Sequence, residues 1–201
     1  MAPDADHLTV KVARKRKCKV CPETFTPARP MQRVCSPKCA LEDARLKREK
    51  AERKALAEAK EAALPMKKRF KRAQDAVNRY VRARDFFLGC CSCEKGAYWD
   101  GQWHASHFKS VGSNSRLRFH LWNIHKGCSE CNRNLSGNII NYRPRLIHKI
   151  GADRVEWLDY QNGITKFTPE YLDRLARVFN KKAARQEKRN QAAQKGKPSL
   201  L

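Results

Sequence analysis

The chain has 201 residues, with 44 Lys and Arg against 20 Asp and Glu, and a formal charge of +24 at pH 7. A charge of that size repels itself and calls for a polyanion, nucleic acid before an anionic membrane surface. Hydrophobic residues make up 41%, no apolar run approaches the roughly 20 residues of a membrane span, and the charged N-terminus lacks the apolar stretch of a signal peptide. Membrane and secreted classes are therefore not expected; a cytoplasmic protein of one modest domain or two small ones is.

Nine cysteines need a use in a reducing compartment. Eight fall into four short-spaced pairs: Cys18 and Cys21, Cys35 and Cys39, Cys90 and Cys93, Cys128 and Cys131. Cys91 is left over. Two structural zinc sites with four thiolates each are the economical reading. Eight thiolates and two zinc ions would lower the net charge only to about +20, so the argument for a polyanionic partner stands.

Residues 1 to 17 read as a disordered basic N-terminus that ends in the run Arg14 to Lys17. Residues 18 to 39, CKVCPETFTPARPMQRVCSPKC, form an N-terminal four-cysteine zinc finger in which CSPKC looks like a ligand pair at the start of a helix. With so little other core, metal binding supplies much of its folding energy. Residues 40 to 64 are rich in Ala, Glu, Lys and Arg and lack an apolar stripe, which predicts a solvated helical spacer broken by Pro65.

The pattern then changes. Met66, Phe70, Ala73, Val77, Tyr80, Val81, Phe87 and Leu88 recur at intervals of three and four, which predicts an amphipathic helix over 66 to 88. Its apolar face must pack on something, as plain core packing or against the second metal module or a second subunit, and Gly89 is expected to stop it. Beyond the chemically dense core that ends near residue 143, Pro144 and Gly151 flank a short helical piece. A further helix follows Thr168 as N-cap with Pro169 at its first position. The run after Asn180 has no apolar stripe and reads as a frayed basic helix or a disordered tail. The expected segments are thus 1–17, 18–39, 40–64, 65–143 and 144–201.

The second cysteine module carries two C-x2-C pairs separated by 34 residues, far more than a minimal finger needs. That insertion holds Trp103, His104 and His107, the flexible VGSNS, and RLRFH, expected as a strand that puts Arg116 and Arg118 on one face. WNIHKGCSECN follows. The arrangement resembles the HNH, or beta-beta-alpha-metal, nuclease motif on a treble-clef zinc fold. That resemblance implies a small α+β core in which His107 activates water as general base and Asn123 orients it or pins the loop.

Phosphodiester hydrolysis needs such a base near neutrality and a cation against the developing charge. One imidazole nitrogen fixed by a carbonyl would prepare the other to act as the base. His104, and Asn132 just after Cys131, are the candidates for holding the catalytic cation, with Asn134 a weaker one. His125 could touch phosphate, metal or the zinc site. Lys109, Arg116, Arg118, Lys126 and Arg133 are candidate DNA contacts that would position the backbone rather than read bases.

The fuller stretches QWHASHFKS, RLRFHLWNIHKGCSECN and SGN at 136 to 138 resemble the NinG family of lambdoid phages, also called Rap. The resemblance runs over nearly the whole chain. It implies a structure-selective endonuclease acting on branched double-stranded DNA such as Holliday junctions and displacement loops, in the cytoplasm of a bacterial host. A homodimer is expected, with other recombination proteins as further partners and no membrane. The family commonly has Asp-Ala-Gly-His where this chain has His104-Ala105-Ser106-His107. A nitrogen there shifts preference from Mg toward Mn, Ni, Co or Zn. The alternative is a noncatalytic zinc-finger DNA-binding adaptor for recombination; an RNA-associated protein is a third reading.

Overall fold

The computed structural model describes residues 14 to 195. The expectations for residues 1 to 13 and for the last six residues lie outside that range. The chain divides into two units, one ending at Leu64 and one starting at Pro65.

In the first unit Arg16 and Lys17, expected as the end of a disordered arm, instead form β1 (Arg16–Lys17), paired antiparallel with β2 (Thr24–Phe25). This pairing closes the first knuckle, where the Cys18 N–H donates to the Glu23 carbonyl at 2.8 Å. Helix α1 (Pro37–Ala62) starts inside the second cysteine pair: Ser36 caps it by accepting from the Cys39 N–H at 3.3 Å, and Pro37 occupies a position where an N–H would have no helical partner. Cys39 is thereby carried to the cluster on the first turn. Over the remaining length, about 39 Å in all, α1 buries no residue. Helix propensity and i,i+4 pairs such as Lys47 with Asp43 and Arg45 with Glu49 support it.

The second unit is organised by α2 (Met66–Arg84) and α5 (Pro169–Lys195). Ala73, Ala76, Val77 and Val81 of α2 form one core with Leu172, Ala176 and Phe179 of α5, joined by Phe119 and Ile124. Arg69 pairs with Asp173 toward one end. Toward the other, Arg79 donates to Glu187 at 2.7 Å and the Asn190 amide donates to the Ala83 carbonyl at 2.8 Å.

The apolar face of α2 is thus packed within the chain, on α5 and on Phe119 and Ile124 of the metal module. One expectation is corrected here: the run after Asn180 is the second half of α5, packed and not frayed. Its stripe escaped notice because it is made of small and polar residues: Ala183 is fully buried and Asn190 nearly so. Helix α2 also ends at Arg84, four residues short of the expected Leu88. Gly89 serves the knuckle instead: a Cβ there would lie 2.5 Å from the Lys95 carbonyl oxygen.

Between these helices β3 (Trp103–His107) and β4 (Ile124–Cys128) make an antiparallel hairpin, with Trp103 opposite Cys128 and His107 opposite Ile124. RLRFH, expected as a strand, contains a 3-10 turn over Ser115–Leu117, so Arg116 and Arg118 share no strand face. Helix α3 (Ile139–Ile150) begins before Pro144 and runs through it, leaving the carbonyl of exposed Ile140 to water. Helix α4 (Ala152–Tyr160) follows directly. Phe108, Leu117, Tyr142, Leu146, Val155 and Leu158 form a second core that binds α3 and α4 to the hairpin loop. No helix among the described residues is long and apolar enough to cross a membrane.

Candidate active site

The four thiols of Cys90, Cys93, Cys128 and Cys131 converge, as do those of Cys18, Cys21, Cys35 and Cys39. Sulfur separations of 3.8 Å for Cys93 to Cys128 and 3.7 Å for Cys35 to Cys39 match the edge of about 3.8 Å in a tetrahedron of 2.3 Å Zn–S bonds. Both donor sets therefore fit zinc. Cys90 is prepared as a thiolate: its pKa is held down to about 4 by the Cys91 thiol and, against burial, by the N–H groups of Cys128 and Ser92. Cys91 stays outside the cluster, its own pKa pushed up by that neighbour and by burial.

The cluster anchors the base of the hairpin, since Cys128 ends β4 and Trp103, opposite it, begins β3. The far end of the hairpin is closed by Asn123. Its Oδ1 accepts from the Lys109 N–H at 2.7 Å, and its Nδ2 donates to the carbonyls of Lys109 at 3.0 Å and Leu117 at 3.2 Å. Asn123 is wholly buried and pins the loop; no hydrogen bond joins its side chain to His107 among the described residues. His107, the last residue of β3, places Nε2 3.0 Å from the Arg118 carbonyl oxygen. A carbonyl only accepts, so Nε2 carries the proton and Nδ1 keeps a free lone pair. Burial lowers the His107 pKa, with the carbonyl pulling the other way, so the ring is neutral at neutral pH.

His104 lies elsewhere on the strand. Pleat alternation puts His104 and His107 on opposite faces, with Cα atoms about 10 Å apart. The His104 ring meets the Asn132 amide at 3.0 Å, on the short helical turn Glu130–Asn134 that also carries the last cysteine of the cluster, Cys131. Both line a polar cleft of about 520 Å³ with Asn78 and Arg82 of α2, Gln102, Trp103 and Ala105. The structure thus joins His104 to Asn132 and joins His107 to the loop, but His107 does not line this cleft.

The cleft contains no carboxylate. Burial, then Arg133 and Arg82, lower the His104 pKa, so its imidazole is a neutral donor. With the Asn132 amide turned to present its oxygen, His104 and Asn132 supply two neutral ligands. That set fits a cation that draws its remaining oxygens from phosphate and water, and its imidazole suits Mn, Ni, Co or Zn. Asn134 lies at the end of the same turn, exposed.

Of the expected DNA contacts, Arg116 and Arg133 are exposed. The others are engaged within the protein. Arg118 donates to Gln74 at 3.0 Å and lies over Phe70, while Lys109 reaches the Asp159 carbonyl at 3.1 Å. Lys126 is buried, donates to the Phe86 carbonyl at 2.9 Å and sits over Trp103. His125 is buried as well: Nε2 donates to the Trp122 carbonyl at 2.9 Å and Nδ1 accepts from Arg84 at 3.1 Å. Arg84 also binds the carbonyls of Leu121 and Ile124 and forks onto Asp85, which Lys149 of α3 meets at 2.9 Å. This buried network ties α2 and α3 to β4 and occupies His125 internally. Asn78, Arg82 and Gln102 were not singled out from sequence; the i,i+4 spacing of Asn78 and Arg82 on α2 is the signal that could have found them.

The model of the family described as "Bacteriophage Lambda NinG protein" matches residues 10–191. The chain belongs to the NinG family. The matched span takes in both cysteine clusters, the hairpin and most of α5. Among NinG relatives, Protein ninG of Enterobacteria phage H19B is 36% identical over 186 residues, covering 84% of this chain and 92% of the relative. Protein ninG of Escherichia phage 933W is 37% identical over 174 residues, 78% of this chain and 86% of the relative. Protein ninG of Escherichia phage lambda is 35% identical over 188 residues, 84% and 91%. No solved structure matches this NinG chain.

Proposed function

We propose that this chain is a metal-dependent DNA endonuclease that hydrolyses phosphodiester bonds in branched recombination intermediates, Holliday junctions and displacement loops, on an HNH-type treble-clef core. Membership of the NinG family supports a nuclease role in DNA recombination. The observation that carries the chemistry is His107: a neutral imidazole whose Nε2 is fixed by the Arg118 carbonyl on a loop pinned by Asn123. In this reading Nδ1 takes the proton from the attacking water. His104 and Asn132 hold the catalytic cation, which when bound offsets the charge on the phosphate oxygens. Branch preference rests on the family resemblance.

The test compares wild type with His107→Ala on a labelled four-way junction in Mg, Mn and Ni. Binding retained and cleavage lost in the variant is the expected result; equal cleavage by both removes His107 from the mechanism. One observation favours the second reading, a binding-only recombination adaptor: the cleft around His104 has no carboxylate to hold a cation before DNA arrives. Failure of wild type to cut with all three metals would select that reading. A two-fold junction invites a homodimer, and because α2 is covered by α5, a second subunit would meet another surface. Light scattering with and without junction DNA tests this.

A further inference from the structure

The His104 cleft is better built for an anion than for a free cation. Its polar lining is amide and imidazole from Asn78, Gln102, His104 and Asn132, with Arg82 as the charged residue. Positive charge without a carboxylate repels a bare divalent ion and attracts a phosphate. No hydrogen bond or ion pair ties Arg82 down among the described residues, and it borders both this cleft and a second cavity beside Glu187. Glu187 is itself taken by Arg79 through a two-pronged pair. One helical turn before Arg82, Asn78 adds an amide to the same wall of the cleft.

We infer that Arg82 is the phosphate-binding residue of this cleft, gripping the non-bridging oxygens of the DNA phosphodiester beside His104. This deepens the proposed nuclease reading, on which it rests for the identity of the substrate. The catalytic cation then enters with the phosphate, and the free protein holds it weakly. Arg82 reaches the site from α2, a helix remote in sequence from the histidine stretch. The packing of α2 against β3 and α5 therefore sets where the phosphate lies.

The experiment is a binding cycle, kept separate from cleavage by using His107→Ala as the background and omitting divalent metal. Junctions carry a neutral methylphosphonate at each phosphate flanking the branch in turn, and affinity is read by fluorescence anisotropy. Arg82 intact, one position should lose about tenfold or more in affinity, the size of a lost charged hydrogen bond. With Arg82→Ala that position should show no further loss, and Arg82→Lys should restore part of it. Equal penalties with and without Arg82, or no penalty at any position, overturn the assignment. Zinc content and circular dichroism of each variant show that the fold is kept.

A second arm reads single-turnover cleavage in otherwise wild-type protein. Arg82→Ala should cut about 10²- to 10³-fold more slowly, as for a lost transition-state donor, with junction affinity changed far less. Cleavage at the wild-type rate overturns the role of Arg82 while leaving His107 as base. Absence of cleavage in wild type defeats the nuclease reading instead, and the binding cycle still decides the anion site.

Discussion

The Nε2 of His107 donates to the carbonyl of Arg118 at 3.0 Å, across a loop that Asn123 holds shut from the other side. The pair fixes the tautomer, and burial keeps the ring neutral. Cleavage should therefore rise with pH in the acid range and level off at or below the ordinary histidine value of 6.5, with an imidazole NMR titration showing the same midpoint. The stability sign follows from the lowered pKa. Below 6.5 the unfolded chain binds a proton that folded His107 refuses, so stability falls as pH drops through that window and is unaffected above 7. Urea unfolding at pH 7.5 and 5.5 should show the loss, smaller in His107→Asn.

Asn123 satisfies one N–H and two carbonyls with a single amide. Removing it in Asn123→Ala leaves those groups buried and should cost about 2–4 kcal/mol in urea unfolding. Asn123→Asp keeps the acceptor but points an oxygen at the Lys109 and Leu117 carbonyls, so it should not rescue. Both should slow cleavage through displacement of the loop that carries Arg118. Cleavage at the wild-type rate by Asn123→Ala would separate the loop from the chemistry.

Asp85 is almost fully buried, and against that burial the Arg84 guanidinium, with the Lys149 ammonium, holds its carboxyl well below the usual carboxylate range. Asp85→Ala removes the partner of Arg84 and Lys149 together and should destabilise by about 3–5 kcal/mol. The double variant with Lys149→Met should recover part of the loss. Additive losses in the two single variants would show that the charges are not coupled.

How much of this was readable beforehand differs from element to element. The start of α5 was legible because Thr168 and Pro169 are local signals, and the Thr168 hydroxyl does accept from the Tyr171 N–H at 3.2 Å. The two cysteine clusters were legible because zinc dictates ligand spacing. The second half of α5 was not, since Ala183 and Asn190 are buried by the closeness of α2 and not by their own hydrophobicity. Lys126 and Arg118 read as phosphate contacts from charge alone, yet Trp103 and Phe70 provide ring faces for their cations. Arg82 carries no local signal, because the fold alone brings it to the cleft that His104 and Asn132 line.

Each cluster should hold its own ion. Cys35→Ser and Cys93→Ser should each lower zinc from two ions per chain to one, measured by mass spectrometry of the metal. Cys93→Ser should unfold the hairpin and end cleavage; Cys35→Ser should leave the near-ultraviolet circular dichroism of the second unit intact, because the two units are built on separate clusters.

Ala183, in the second half of α5, is fully buried. Ala183→Asp places an unpaired carboxylate there and should cost at least about 3 kcal/mol, and a chain stopped after Asn180 should lose the same support. Thermal melting of both should shift down together. An unchanged melt for the truncated chain would show that the second half of α5 carries no load.

The closure of α2 by α5 also sets a timetable. The helix that opens the second unit waits for a partner more than a hundred residues later, and chains are made N-terminus first at a few residues per second. Until α5 emerges, the cysteine cluster and Asn123 can hold the hairpin, but the apolar face of α2, the helix that carries Arg82, lacks its main cover. The α2 wall of the cleft is therefore the part of the second unit completed last, once α5 has left the ribosome.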